Sequence, residues 1–209
     1  DPGRPAQLCQ PHTRSSLTLE SSTIHNWRVG LSKEMKMAEI QSGRMTHEHD
    51  GSIGVFLIGM RFNQLRRPDQ WLPTFLAMPK MLTELYRNQA AAARGEAPDL
   101  GFLGARTLFG GKGVTVVQYW RSVEDIYRYA SVPDHEHRPA WTAFNTRARK
   151  ARGVVGIWHE TYAVPAGAHE SVYVGTPIMG LAAATASTPV PRRKSYARLR
   201  DALAAEQTA

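Results

Sequence analysis

Ile53-Gly54-Val55-Phe56-Leu57-Ile58-Gly59-Met60-Arg61-Phe62 is apolar at odd and even positions alike until Arg61 interrupts it. Alternate side chains of a strand point to opposite faces of a sheet, so this stretch describes a central strand covered on both sides. The stretches on either side of it give the order of the remaining elements. Trp71, Phe75, Met78, Leu82 and Leu85 recur at spacings of three and four, which places them on one face of a helix. Pro73 fits the first turn, and Pro79 predicts a kink. Residues 90–98 read as a loop. Leu100 to Phe109 is a second strand, interrupted by Gly101 and Gly104. Gly110-Gly111-Lys112-Gly113 is a hairpin connection, because glycine reaches the positive φ angles such turns use.

Val114 to Trp120 is a third strand, rich in β-branched and aromatic residues. Ser122 with Asp125 three residues on is a capping-box-like start to a short helix whose apolar side is Ile126 and Tyr129, stopped by Pro133. A further helical segment carries Pro139, Trp141 and Phe144 and ends near Arg149. Gly153 to Val164 is the fourth strand, with Val155, Ile157, His159, Thr161 and Ala163 on one face and Trp158, Glu160 and Tyr162 on the other. The order is β-α-β-β-α-β, an α+β class with the split arrangement of ferredoxin-like folds. The helices roof one face of the sheet. The other face also carries apolar residues, and a second copy of the sheet is the simplest cover, so a homodimer is expected.

The flanks differ from this centre. Residues 1–36 are rich in Ser, Thr, Pro and Gln without periodicity and read as a loose leader, with Met37 and Met45 as candidate starts. The domain is placed at 37–175, with a C-terminal arm and short helix over 176–209. Within these, His169 to Val174 is an edge strand or arm, 181–191 has linker composition, and Tyr196 to Ala205 is a short terminal helix.

Composition narrows the classes of function. The chain has 209 residues, 42 % of them hydrophobic, and a net charge of +8. Arg66-Arg67 and Arg192-Arg193-Lys194 hold part of that charge, but no long basic block interleaves with aromatic residues, so no nucleic-acid partner is expected. No apolar run approaches the roughly 18 to 20 residues of a membrane span, so no membrane partner is expected either. Cys9 is the single cysteine, which excludes an intramolecular disulfide and any multi-cysteine metal site. A reducing, cytoplasmic setting fits. GxSxG, the P-loop, HExxH and a dinucleotide GxGxxG are all missing, so flavin and nicotinamide have no sequence support.

Six stretches together resemble a known family: FLIGMRFN (56–63), WLPTFLAMPKML (71–82), LGFLG (100–104), VQYWRS (117–122), PAWTAFN (139–145) and GIWHETY (156–162). They are similar to the monooxygenase-like family named after a protein of the fumagillin pathway and otherwise described as a domain of unknown function. The resemblance implies the dimeric α/β-barrel group, which includes antibiotic-biosynthesis monooxygenases, haem-degrading enzymes and haem-dependent aldoxime dehydratases. Ala90 to Pro98 departs from the family pattern as an apparent insertion.

The resemblance implies a monooxygenase-like oxidoreductase acting on a small apolar substrate in a cavity between sheet and helices. Cofactor-independent oxidation needs a base, an oxyanion donor and a dry site. The candidate bases are His159 and His137, and the candidate orienting donors are Tyr119, Trp120 and Asn145. Glu160 is a further candidate on the opposite face from His159. Trp120, Trp141, Trp158 and Phe75 are expected to line an apolar cavity, with Arg61 binding a ligand carboxylate or carbonyl. No metal is expected. Haem, with His137 or His159 as axial ligand, is the first alternative, and a non-catalytic module that sequesters a metabolite is the second. His47 and His49, in MTHEHD (45–50), read as an exposed polar leader.

Overall fold

In the computed structural model the described residues are 39–131 and 153–190. The long apolar stretch is β2 (Ile53–Phe62), with the bounds its pattern implies. It is followed by α1 (Pro68–Ala93), β3 (Phe102–Gly110), β4 (Gly113–Trp120), α2 (Val123–Ser131) and β5 (Val155–Val164). The four long strands lie in the order β3-β4-β2-β5, with antiparallel neighbours throughout. That is the ferredoxin-like order, in which the first and third strands of the motif are central.

Register fixes which side chains share a face. Phe56 pairs with Gln118 and Thr161, and Ile58 with Val116 and His159, on the face that receives the helices. The core there is Leu85 of α1, Phe102, Trp120, and Ile126 and Tyr129 of α2, with Phe56, Leu82 and Leu100 packed around it. Phe102 and Trp120 meet edge to face at 5.3 Å, and Tyr129 lies 5.6 Å from Trp120. Fully burying each such side chain contributes about 1.5–3 kcal/mol.

The capping expectation at Ser122 holds. Its hydroxyl accepts from the Asp125 N–H at 3.1 Å and donates to Asp125 Oδ2 at 3.2 Å. The Asp125 carboxylate is buried and receives Arg121 at 3.1 Å and Arg128 at 2.7 Å. It occupies the space beside Gly101 where a side chain would stand, and Gly101 has a φ of 80°.

Four expectations are corrected. Ala90 to Ala93 complete the last turn of α1 rather than opening a loop, because alanine favours the helix and nothing before Arg94 stops it. The stretch expected as linker contains α3 (Gly180–Ala184) and β7 (Ser187–Pro189). MTHEHD is not an exposed leader: Arg44–His47 form β1, flanked by β6 (Tyr173–Val174) and β7 in a second antiparallel sheet. The edge strand expected over 169–174 is reduced to those two residues of β6. The leader, the segment carrying Pro139 to Arg149 and the terminal helix over 196–205 lie outside the described residues.

Candidate functional site

The face of the main sheet away from α1 and α2 carries Val55, Leu57, Gly59 and Arg61 on β2. Tyr162, Glu160, Trp158 and Gly156 stand opposite them on β5, and Tyr119, Val117, Thr115 and Gly113 on β4. At one end of this face a cleft of about 170 Å³ is lined by Met60, Arg61, Gly110, Gly111, Gly113, Thr115 and Trp158. Glycine makes this space. Gly59 and Gly156 stand on β2 and β5 around Trp158 and Arg61, and the β3–β4 hairpin contributes backbone alone at Gly110, Gly111 and Gly113. The Trp158 indole lies in the volume a side chain at Gly59 would fill, and Gly113 sits hard against the Met60 carbonyl. Glycine in a strand interior marks close approach by another group.

Arg61 is held within this cleft. Its Nε donates to Asn63 Oδ1 at 3.1 Å, and Asn63 Nδ2 donates to the Gly153 carbonyl at 2.9 Å. Among the described residues Arg61 has no carboxylate partner, whereas Arg67, Arg94, Arg121 and Arg128 are each paired with one. Two of the residues expected to bind substrate, Arg61 and Trp158, are therefore brought together. Thr115 and the hairpin glycines were missed; the signal for them was the cluster of glycines on adjacent strands of one face.

Between the sheet and the described helices little space is left. The space between Phe56, Ile58, Met81, Leu85, Gln118, Trp120, Ile126 and Tyr129 is about 30 Å³, the share of roughly one liquid water. Trp120 is 1 % exposed, and its indole N–H is taken by Gln118 Oε1 at 3.0 Å, so it is a core residue. Tyr119 and Trp158 point to the opposite face from Trp120, which follows from register, so these aromatics do not enclose one chamber. Phe75 packs with Trp71 at 6.3 Å and Phe62 at 6.4 Å, away from the Arg61 cleft. His159 lies on the helix-side face of the edge strand β5, exposed, with its ring 5.7 Å from Phe56. His137, Trp141 and Asn145 lie outside the described residues.

Tyr119 meets the C-terminal arm. Its hydroxyl lies near Gly180, as does that of Tyr173. Burial, and then the neighbouring Tyr173, raise its phenol above the ordinary value against an opposing pull from Arg106, so it is an O–H donor at neutral pH. Glu160 shares the cleft's face one step along β5 from Trp158 and accepts from the Tyr162 hydroxyl at 2.7 Å. That bond is the main cause of the raised Tyr162 phenol.

The second sheet holds a histidine pair. His47 is 4 % exposed. Its Nδ1 lies 2.7 Å from Ser171 Oγ and its Nε2 2.8 Å from His169 Nδ1, while His169 Nε2 lies 2.8 Å from the Gly51 carbonyl. A carbonyl only accepts, so His169 carries a hydrogen on Nε2, which leaves its Nδ1 to accept from His47. Ser171 then donates to His47 Nδ1. The chain of bonds fastens the arm to β1.

Of the two histidines expected as axial ligands of haem, only His159 lies among the described residues. His159 is exposed and is not among the residues that line the small space between Phe56, Leu85 and Trp120. His47 and His169 are engaged with each other, Ser171 and Gly51. Among the described residues no three ligating side chains form a metal site. No described helix is long and apolar enough to cross a membrane.

The strand order and the glycine-lined cleft define a ferredoxin-like α+β domain with an open sheet face. The chain belongs to the family described as Monooxygenase af470-like, which it matches over residues 53–181. It is 27 % identical over 145 residues to Monooxygenase af470 of Aspergillus fumigatus, a match covering 66 % of this chain. The chain spans about half (49 %) of that relative's length. Among solved structures it is similar to an aldoxime dehydratase in complex with butyraldoxime, with a TM-score of 0.51 and 15 % identity. That likeness covers 71 % of this chain and 41 % of the other, and it bears on the fold. A possible oxidoreductase of unknown function from Bacteroides thetaiotaomicron matches with a TM-score of 0.36 and 8 % identity, covering 55 % of this chain and 99 % of that one.

Proposed function

We propose that the chain is a monooxygenase-like enzyme that oxidises a small, ring-bearing organic substrate held against the open face of its sheet. Membership of the Monooxygenase af470-like family over residues 53–181 carries this reading, because that span contains every residue of the Arg61–Trp158 cleft. A cleft of about 170 Å³ is comparable to an engineered cavity of about 150 Å³ that takes benzene. Trp158 offers a flat apolar wall, and Arg61 and Thr115 offer donors. Glu160 is the carboxylate on the same face and accepts the substrate's proton. The deprotonated substrate then reduces dioxygen. For a phenol the balance is phenol plus dioxygen to quinone plus water: one oxygen atom enters the ring, the other leaves as water, and the substrate supplies all four electrons. The test is dioxygen consumption by the full chain with phenols and terpenoids. Stoichiometric uptake with a product one oxygen heavier and two hydrogens lighter supports the reading, and ligand retention without turnover favours a sequestering module instead.

We also propose that a second copy closes this face. Leu108, Trp158 and Tyr162 are exposed on it, and Val55 and Leu57 lie between them. The face carries Arg106 on one edge strand and Glu160 on the other, a pairing that a twofold axis along the strands makes self-complementary.

A further inference from the structure

We infer that the cleft binds its ligand by a carboxylate, so that the substrate of the proposed reaction is a ring-bearing carboxylic acid. The inference rests on that reading only for the statement that the ligand is a substrate; the binding site stands on its own geometry.

Three observations point to an anion with a flat body. First, Arg61 has no carboxylate partner among the described residues; Arg44, Arg66, Arg87 and Arg106 have none either, but of these only Arg61 lines the cleft. Second, it is braced by a neutral group. Asn63 takes the Nε hydrogen at 3.1 Å and is itself tied to the Gly153 carbonyl at 2.9 Å. This orients the guanidinium plane without cancelling its charge, and leaves the terminal nitrogens for an incoming acceptor. A carboxylate matches that fork with two parallel hydrogen bonds, which a hydroxyl or ketone cannot form. Third, the walls beside Arg61 are backbone and one indole. Gly110, Gly111 and Gly113 remove the side chains that would otherwise fill the space, and Trp158 lies flat on Gly59. A planar ring stacks on the indole while its acid group reaches Arg61. The nearest acid along β5 from the cleft, Glu160, stands in register with Leu57, two places along the same face from the Arg61–Gly156 pair, and accepts from Tyr162.

The probes are benzoate and its neutral counterpart benzyl alcohol, titrated into the full chain by calorimetry. Benzoate is expected to bind saturably, and benzyl alcohol at least about tenfold more weakly, the loss of a charge-assisted pair. Arg61→Met removes the preference. Arg61→Lys keeps the charge without the fork and recovers only part of it. Asn63→Ala leaves Arg61 in place but unbraced and also weakens benzoate, while circular dichroism confirms that each variant is folded. Equal binding of the two probes, or benzoate binding unchanged in Arg61→Met, overturns the inference. The oxidative reading fails separately: benzoate binding that depends on Arg61 without dioxygen uptake by any ring-bearing acid sinks the chemistry and keeps the site. Uptake with a neutral phenol that is indifferent to Arg61→Met does the reverse.

Discussion

The indole of Trp158 on β5 rests on Gly59 of β2, its cross-strand partner, in the volume that a side chain at position 59 would occupy. Gly59 is buried in extended backbone, so an added methyl group strains nothing in the chain itself and acts by lifting the indole off the sheet. Gly59→Ala is therefore expected to fold, and to weaken benzoate binding by roughly tenfold, about 1.4 kcal/mol. Calorimetry together with near-ultraviolet circular dichroism checks both halves. An unchanged affinity means that the indole is not a wall of the site.

Gly101 and Asp125 make the opposite case, in which an added methyl group costs the fold. Gly101 has a φ of 80°, and the Asp125 carboxylate fills the space beside it while accepting from Arg121 and Arg128. The left-handed backbone alone costs a substituted residue on the order of 1–3 kcal/mol, and displacing the carboxylate disturbs its bonds as well. Gly101→Ala is expected to lower the urea midpoint by more than Gly110→Ala, whose added carbon meets open space. Equal midpoints would show that Asp125 relaxes freely.

The buried donor of His47 gives a third test. His169→Ala removes the acceptor of His47 Nε2, and a buried polar group that loses its partner costs about 1–3 kcal/mol. The loss is expected to be local. Hydrogen exchange of β1 and β6 should accelerate while the centre of β2 stays protected. Uniform acceleration across both sheets would show that the arm and the main sheet unfold as one unit.

The open face supplies the fourth. Leu57 lies at its centre, between Glu160 and Val117. Leu57→Lys puts a charge where the proposed second copy packs, and light scattering should report a dimer for the native chain and a monomer for the variant. A native chain that is monomeric at all concentrations removes the dimer.

Most of the main sheet was legible because its signals are local. The two-sided apolar run gave β2, the glycine hairpin gave the turn between β3 and β4, and the alternation of Trp158, His159 and Glu160 gave the faces of β5. The second sheet was not legible. β1, β6 and β7 have four, two and three residues, too short to show a period, and their pairing joins Met45 to Tyr173 and Pro189 across the length of the domain. His47 looked exposed because the sequence around it is polar; its burial comes from Ser171 and His169, more than 120 residues away. The site was half legible. Residue types named Arg61 and Trp158, but the side of the sheet on which they meet depends on register and on how completely Leu85, Trp120 and Tyr129 fill the other side.

The two faces of β5 offer the most direct test of where the chemistry happens. Dioxygen uptake with a ring-bearing substrate is compared among the native chain, Trp158→Ala, Glu160→Gln and His159→Ala. Chemistry on the open face predicts that Glu160→Gln loses about a hundredfold or more, the usual contribution of a general base. It also predicts that Trp158→Ala loses most of its turnover and that His159→Ala stays close to native. Loss of turnover in His159→Ala, with Trp158→Ala and Glu160→Gln unaffected, would place the reaction on the helix side and contradict the account.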